Sequence, residues 1–171
     1  DELCQRRRVV AFGGVDAHAR KYPILPWVVF PYRQLFETIR THLITEEPLD
    51  REPDQGVAEV LTALSNGNCF LARDNLADAS GTRFQTACGG LQMGDEAIYE
   101  EPIELTVALP TTAEIHLLLD GKTVQTALAT SMTHTAERPG VYRVEARLDD
   151  QPWLFTNPIY LRKPSVDGKH S

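Results

Sequence analysis

Ile103-Glu104-Leu105-Thr106-Val107-Ala108-Leu109 is the stretch on which the fold turns. Its large apolar residues stand two apart, and in extended backbone residues two apart share a face. The run therefore reads as a strand with one buried and one solvated side. Ile115, Leu117 and Leu119 repeat the pattern, and Asp120-Gly121 then supplies a tight hairpin turn, with Val124 and Leu128 expected on the returning strand. Tyr142, Val144, Ala146 and Leu148 alternate after a Pro139-Gly140 turn, while Phe84 to Cys88 and Trp153 to Leu161 add strands at either end. About seven short strands at roughly ten-residue spacing predict an immunoglobulin-like β-sandwich over residues 81–165, without the Cys-Trp-Cys signature of a true immunoglobulin. Residues 166–171 are a polar tail.

Upstream of the polar break Asp78-Ala79-Ser80-Gly81 the period is different. Leu3 to Arg8 reads as the end of a helix with no cap before it, and Val9 to Phe12 as a strand buried on both faces. Val15 to Val29 holds Pro23 and Pro26 and reads as loop. Tyr32, Leu35, Phe36, Ile39 and Leu43 form one apolar stripe at helical spacing. A second helix follows, with Asp54 as its expected cap, Val57, Val60, Leu61 and Leu64 on its apolar face and Gly67 past its end. Cys69 to Ala72 is again a strand. Strand, helix, helix, strand fits the closing segments of a (β/α) barrel over residues 1–80, so the expected class is α+β.

The 171 residues carry a net charge of −7, with 42% hydrophobic and 24% charged residues. That is the composition of an ordinary globular protein. The acidic balance argues against nucleic acid as a partner, and Arg6-Arg7-Arg8 reads as a solvated helix end. No apolar run approaches the roughly 20 residues of a membrane span. Cys4, Cys69 and Cys88 form no Cys-x-x-Cys pair or disulfide framework; each is expected to be a buried or half-buried thiol, which leans towards a reducing, cytoplasmic setting. A first residue other than Met suggests a piece of a longer chain.

The chemistry concentrates in Val9-Val10-Ala11-Phe12-Gly13-Gly14-Val15-Asp16-Ala17-His18. An apolar run ends at two glycines, and an acid and an imidazole follow two positions apart. Extended backbone would aim both at one point, a pairing suited to Zn²⁺, Mn²⁺ or Fe²⁺. The competing reading has Asp16 capping a turn and His18 meeting a backbone carbonyl. Arg20 and Lys21 follow closely and read either as contacts to an anionic substrate or as ordinary loop charges. His42 is expected at a helix rim, and His116 and His134 in solvent.

Gly13 to His18 resembles the last metal-ligand motif of the PHP (polymerase and histidinol phosphatase) metal-dependent phosphoesterases. Pro139 to Glu145, Pro152-Trp153 and Thr156 to Tyr160 are similar to the β-rich tail of that family's carbaryl-hydrolase-like subgroup. The resemblance implies the C-terminal remnant of a distorted (β/α) barrel docked on an accessory sandwich. It implies Asp16 and His18 as two ligands of a divalent-metal site, Zn, Mn or Fe, that hydrolyses a small phosphoester, ester or carbamate. The family's His-x-His and intermediate ligands have no counterpart here, so the N-terminal remainder of the barrel is an implied partner. The chain alone would bind metal poorly, catalyse nothing and be prone to self-association. The alternative is a non-enzymatic β-sandwich binding module, which would display an aromatic patch around Trp153 or Tyr160.

Overall fold

The computed structural model of the chain describes residues 1–17, 20–21, 28–29, 32–45 and 47–164. In chain order the elements are α1 (Glu2–Arg6), β1 (Arg20–Lys21), β2 (Val28–Val29), α2 (Tyr32–Phe36), β3 (Arg40–Leu43), α3 (Pro53–Asn66) and β4 (Cys69–Ala72). They continue with β5 (Arg83–Thr86), β6 (Glu96–Ile98), β7 (Ile103–Leu119), β8 (Lys122–Ala136), β9 (Gly140–Leu148), β10 (Gln151–Thr156) and β11 (Ile159–Arg162). The class is α+β with strands dominant. Among the described residues β3 to β11 form one open nine-stranded sheet, and β1 and β2 a separate antiparallel ribbon.

The alternation at Ile103 runs further than two short strands. Leu105, Val107, Leu109, Ala113, Ile115, Leu117 and Leu119 are all buried along a single 17-residue β7. Asp120 (φ 53°) and Gly121 (φ 83°) hold the left-handed backbone that a tight hairpin turn into β8 demands. β7 pairs with β8 along one edge. On its other edge residues 105–108 pair with β5, and residues 114–119 with β9. The register slips between Ala108 and Ala113, around Pro110, which has no N–H to give to a ladder. One strand thus serves two sets of neighbours, an arrangement consistent with a β-sandwich.

Beyond β9 the sheet passes to β10 and β11; β10 leads on to β4 and β3, and β11 pairs in parallel with β6. It is continuous across residue 80, since β4 hydrogen-bonds β10. Trp153, Tyr142, Phe70, Phe84, Met93 and Leu154 fill the core. Their polar atoms are satisfied: Trp153 Nε1 donates to Ala77 O at 2.9 Å, and Tyr142 OH donates to Arg138 O at 2.8 Å. Burial pushes the Tyr142 phenol up from its ordinary pKa.

Ahead of β4 the sequence expectations need correcting. The stripe from Tyr32 to Leu43 is not one helix: α2 stops at Phe36, and Arg40–Leu43 is a strand in register with Cys69–Ala72. Thr38, Ile39 and Thr41 are β-branched and poor in a helix, and the free edge of β4 offers ladder hydrogen bonds instead. Val9 to Phe12 is no sheet strand, and Phe12 is 70% exposed. In α3 the cap position belongs to Glu52, not Asp54, with Pro53 in the first turn where a missing N–H costs nothing. Gly67 ends α3 as expected, left-handed at φ 65°. The buried side of α3 is centred on Ala63 with Val60 and Leu64 half-buried, so Val57 and Leu61 face outward. Among the described residues, no helix is long and apolar enough to cross a membrane.

Candidate functional site

Val9 to Gly13 is a strap with no partner strand among the described residues. Tyr160 OH accepts from Val9 N at 3.0 Å and donates to Val9 O at 2.7 Å. Asn157 Oδ1 accepts from Ala11 N at 2.8 Å, and Asn157 Nδ2 donates to Ala11 O at 2.9 Å. Thr41 Oγ1 accepts from Gly13 N at 2.9 Å and donates to Gly13 O at 3.1 Å. Alternate residues of extended backbone turn their N–H and C=O the same way, so three side chains replace a ladder. Asn157, 2% exposed, also donates to Cys69 O at 2.9 Å, which ties the strap to β4 and leaves its buried amide satisfied. Gly13 has a steric reason: a Cβ there would lie 2.6 Å from Ile39 Cγ2 and 2.7 Å from Leu71 Cδ2.

The strap delivers the chain to Asp16. Ala17 N donates to Val15 O at 2.8 Å, closing a three-residue turn with Asp16 at its apex and its side chain on the exposed surface. His18 lies outside the described residues. Arg20 and Lys21 are described in backbone only, as the β1 strand opposite Val28–Val29. Asp16 is thus the one expected metal ligand that lies among the described residues. Among the described residues no group of three or more His, Cys, Asp or Glu side chains could hold a metal ion. The described donors fit one corner of a metal shell and no more.

The other candidates resolve into structure. His42 is not at a helix rim: it lies on β3, stacked on Phe70 at 4.7 Å, with Nε2 3.0 Å from both oxygens of Asp74. Asp74 also meets Arg40 Nη1 at 3.3 Å and accepts from Ala79 N at 3.4 Å, so the cluster pins the loop after β4. His116 is half-buried rather than solvated. Its enclosed Nε2 makes no hydrogen bond, although Glu114 Oε1 lies 3.2 Å away and out of line. His134 Nδ1 is 2.7 Å from Gln125 Oε1. The three cysteines are free, and Cys88 is exposed, not buried. Thr86 Oγ1 and the Gly90 amide lower the Cys88 thiol pKa, whereas burial raises that of Cys69. Trp153 and Tyr160 are fully buried and present no aromatic patch.

Sequence reasoning misses Thr41 and Asn157 as site residues, and singles out Tyr160 only for an aromatic patch, not as a partner of the strap. The available signal was Asn157 itself, a polar amide between two apolar strands, which reads equally well as a strand break. No protein-family model matches the chain, and no curated protein or solved structure does so either.

Proposed function

We propose that this chain is the C-terminal part of a metal-dependent hydrolase of the PHP phosphoesterase type. In this reading Asp16 and His18 supply two ligands of a divalent-metal site, and Arg20 and Lys21 contact an anionic ester or phosphoester. A bound divalent ion would acidify a water and hold developing negative charge on the substrate. What the chain itself contributes is the carriage of Asp16: an exposed carboxylate at the apex of a tight turn, at the end of an anchored strap.

One observation carries the reading. The two sequence blocks that resemble the family lie some 140 residues apart, yet the strap running into the first is clasped by Asn157 and Tyr160 of the second. Chance similarity of two unrelated blocks gives no reason for them to meet. The immunoglobulin-like character of the accessory sandwich has support in Tyr142. It lies near the start of β9, and its hydroxyl bonds backbone four residues upstream, as in a tyrosine corner. Exposed Phe12, Phe36, Val57 and Leu61 are the surface a missing barrel remainder would cover.

The test is the reading frame upstream of Asp1. It should encode a His-x-His strand and further acidic and His ligands, and the whole product should hydrolyse p-nitrophenyl phosphate only with added Mn²⁺ or Zn²⁺. Asp16→Ala should abolish that activity. An upstream sequence without such ligands, or metal-independent turnover, overturns the proposal.

A further inference from the structure

We infer that Thr41, Asn157 and Tyr160 are positioning residues that set where the Asp16 carboxylate stands; the inference rests on the metal-ligand reading of Asp16. The three side chains come from β3, the joint between β10 and β11, and β11 itself, so the clasp draws on separate parts of the sheet. Each gives one acceptor and one donor to the same residue of the strap, at positions 9, 11 and 13.

Such a residue-by-residue clasp has a specific mechanical effect. A β-ladder fixes a segment but leaves it free to slip by two residues, because every second position is equivalent. Three different side chains at fixed places do not allow a slip. The strap also meets a steric stop, since a slip by two residues would bring the Cβ of Ala11 or Val15 to the place of Gly13, where a Cβ lies 2.6 Å from Ile39 Cγ2 and 2.7 Å from Leu71 Cδ2. Val10 adds a contact on the opposite side, its Cγ2 standing 3.1 Å from where a Gly67 Cβ would be. Register is therefore locked at Gly13, and the turn around Asp16 begins two residues later. A ligand carboxylate must be held to within a fraction of an ångström of its ion, and outer groups that orient ligands are accordingly part of a metal site.

The test uses the full 171-residue chain and the variants Thr41→Val, Thr41→Ser and Tyr160→Phe, which keep side-chain volume nearly constant. Amide hydrogen exchange is followed at Val9, Ala11, Gly13 and Ala17, and Mn²⁺ is titrated while resonance broadening is recorded at Asp16 and His18. Thr41→Val and Tyr160→Phe should speed exchange at the strap and also at Ala17, the amide that closes the Asp16 turn. They should weaken Mn²⁺ binding about tenfold, the lower end for outer groups of a metal site. Thr41→Ser keeps the hydroxyl and should restore both. If strap exchange accelerates while Ala17 and the Mn²⁺ constant stay put, the clasp holds the strap without positioning Asp16 and the inference is overturned. Two ligands alone hold a metal poorly. Where wild type shows no Mn²⁺ effect, the Ala17 response decides the clasp: faster exchange there supports the inference and unchanged exchange overturns it. The metal reading itself stands or falls with the upstream ligands.

Discussion

The sheet and the segment ahead of it treat large apolar side chains in opposite ways. From β4 onward Trp153, Tyr142, Tyr160, Phe70, Phe84 and Met93 are closed off from solvent, and among the described residues the exposed large apolar residues of this part are Ile98, Val124 and Leu128. Ahead of β4 Leu3, Phe12, Tyr32, Phe36, Ile39, Leu49, Val57 and Leu61 are all exposed among the described residues. Both parts have apolar sequence in regular spacing, so the difference is not composition. The side chains of the sheet pack into one shared core, whereas the described residues ahead of it show no second wall. Stability should therefore be lost in the sheet, while the earlier segment should tolerate change where nothing covers it.

The largest effect is expected at Trp153. Trp153→Ala removes the largest closed side chain and leaves Ala77 O without its donor, costing about 3–5 kcal/mol. Urea denaturation monitored by circular dichroism measures it, and a loss below about 1 kcal/mol would mean the sheet is less tightly organised than its burial implies. Next comes the seam between the two parts. Gly94 sits at φ 97°, and a Cβ there would lie 2.2 Å from Asn66 O and 2.5 Å from Gly67 C. Those are backbone atoms at the end of α3, unable to swing aside. Gly94→Ala should cost about 3 kcal/mol, combining left-handed strain with the clash. A near-neutral result would show that α3 can detach from the sheet without loss.

Tyr160 ties the comparison to pH. Burial pushes its phenol up to about 12 from an ordinary 10.0. The folded chain keeps that proton where the unfolded chain releases it. The stability this group contributes is whole below pH 10 and is lost as pH rises through 12. Tyr160→Phe also leaves the Val9 N–H and C=O without their partner, and should cost about 1–2 kcal/mol at neutral pH. Because the variant has no phenol to ionise, its deficit should shrink as pH climbs through that window. Paired urea titrations at about pH 8 and about pH 11 read the difference directly; a deficit that stays constant would place the hydroxyl in contact with water.

Sequence and structure agree where local chemistry and long-range packing point the same way. Alternation from Ile103 to Leu119, the Asp120-Gly121 turn, the strand at Cys69 and the Gly67 stop each follow from neighbours along the chain. They disagree where a distant partner decides. The apolar stripe at Tyr32 to Leu43 is helical in spacing, yet the edge of β4, some thirty residues on, takes Arg40–Leu43 as a strand. Val9 to Phe12 has the composition of a buried strand, but its backbone groups are taken by Thr41, Asn157 and Tyr160. Nothing in a ten-residue window announces those partners. The same holds for the candidate site: Asp16 was visible from its spacing to the glycines, whereas the side chains that hold its strap lie 28 to 151 residues away from the residues they bind.

The smallest effect should fall on the outer face of α3. Val57 is 58% exposed and Leu61 60%, whereas Ala63 one turn round is buried and Val60 and Leu64 are half-buried. Val57→Lys and Leu61→Lys remove apolar surface that touches little, so each should change unfolding free energy by no more than about 0.5 kcal/mol. Leu64→Lys places a charge on the half-buried side of the same helix and should cost clearly more. The outer pair should act elsewhere. If this face is where a second wall belongs, its apolar residues drive copies of the chain together, and the double variant should sediment as a monomer at concentrations where wild type associates. A double variant that loses several kcal/mol would show that α3 is already covered by its own chain. Unchanged association with unchanged stability would move the sticky surface to Phe12, Tyr32 and Phe36, where the same substitution can be repeated.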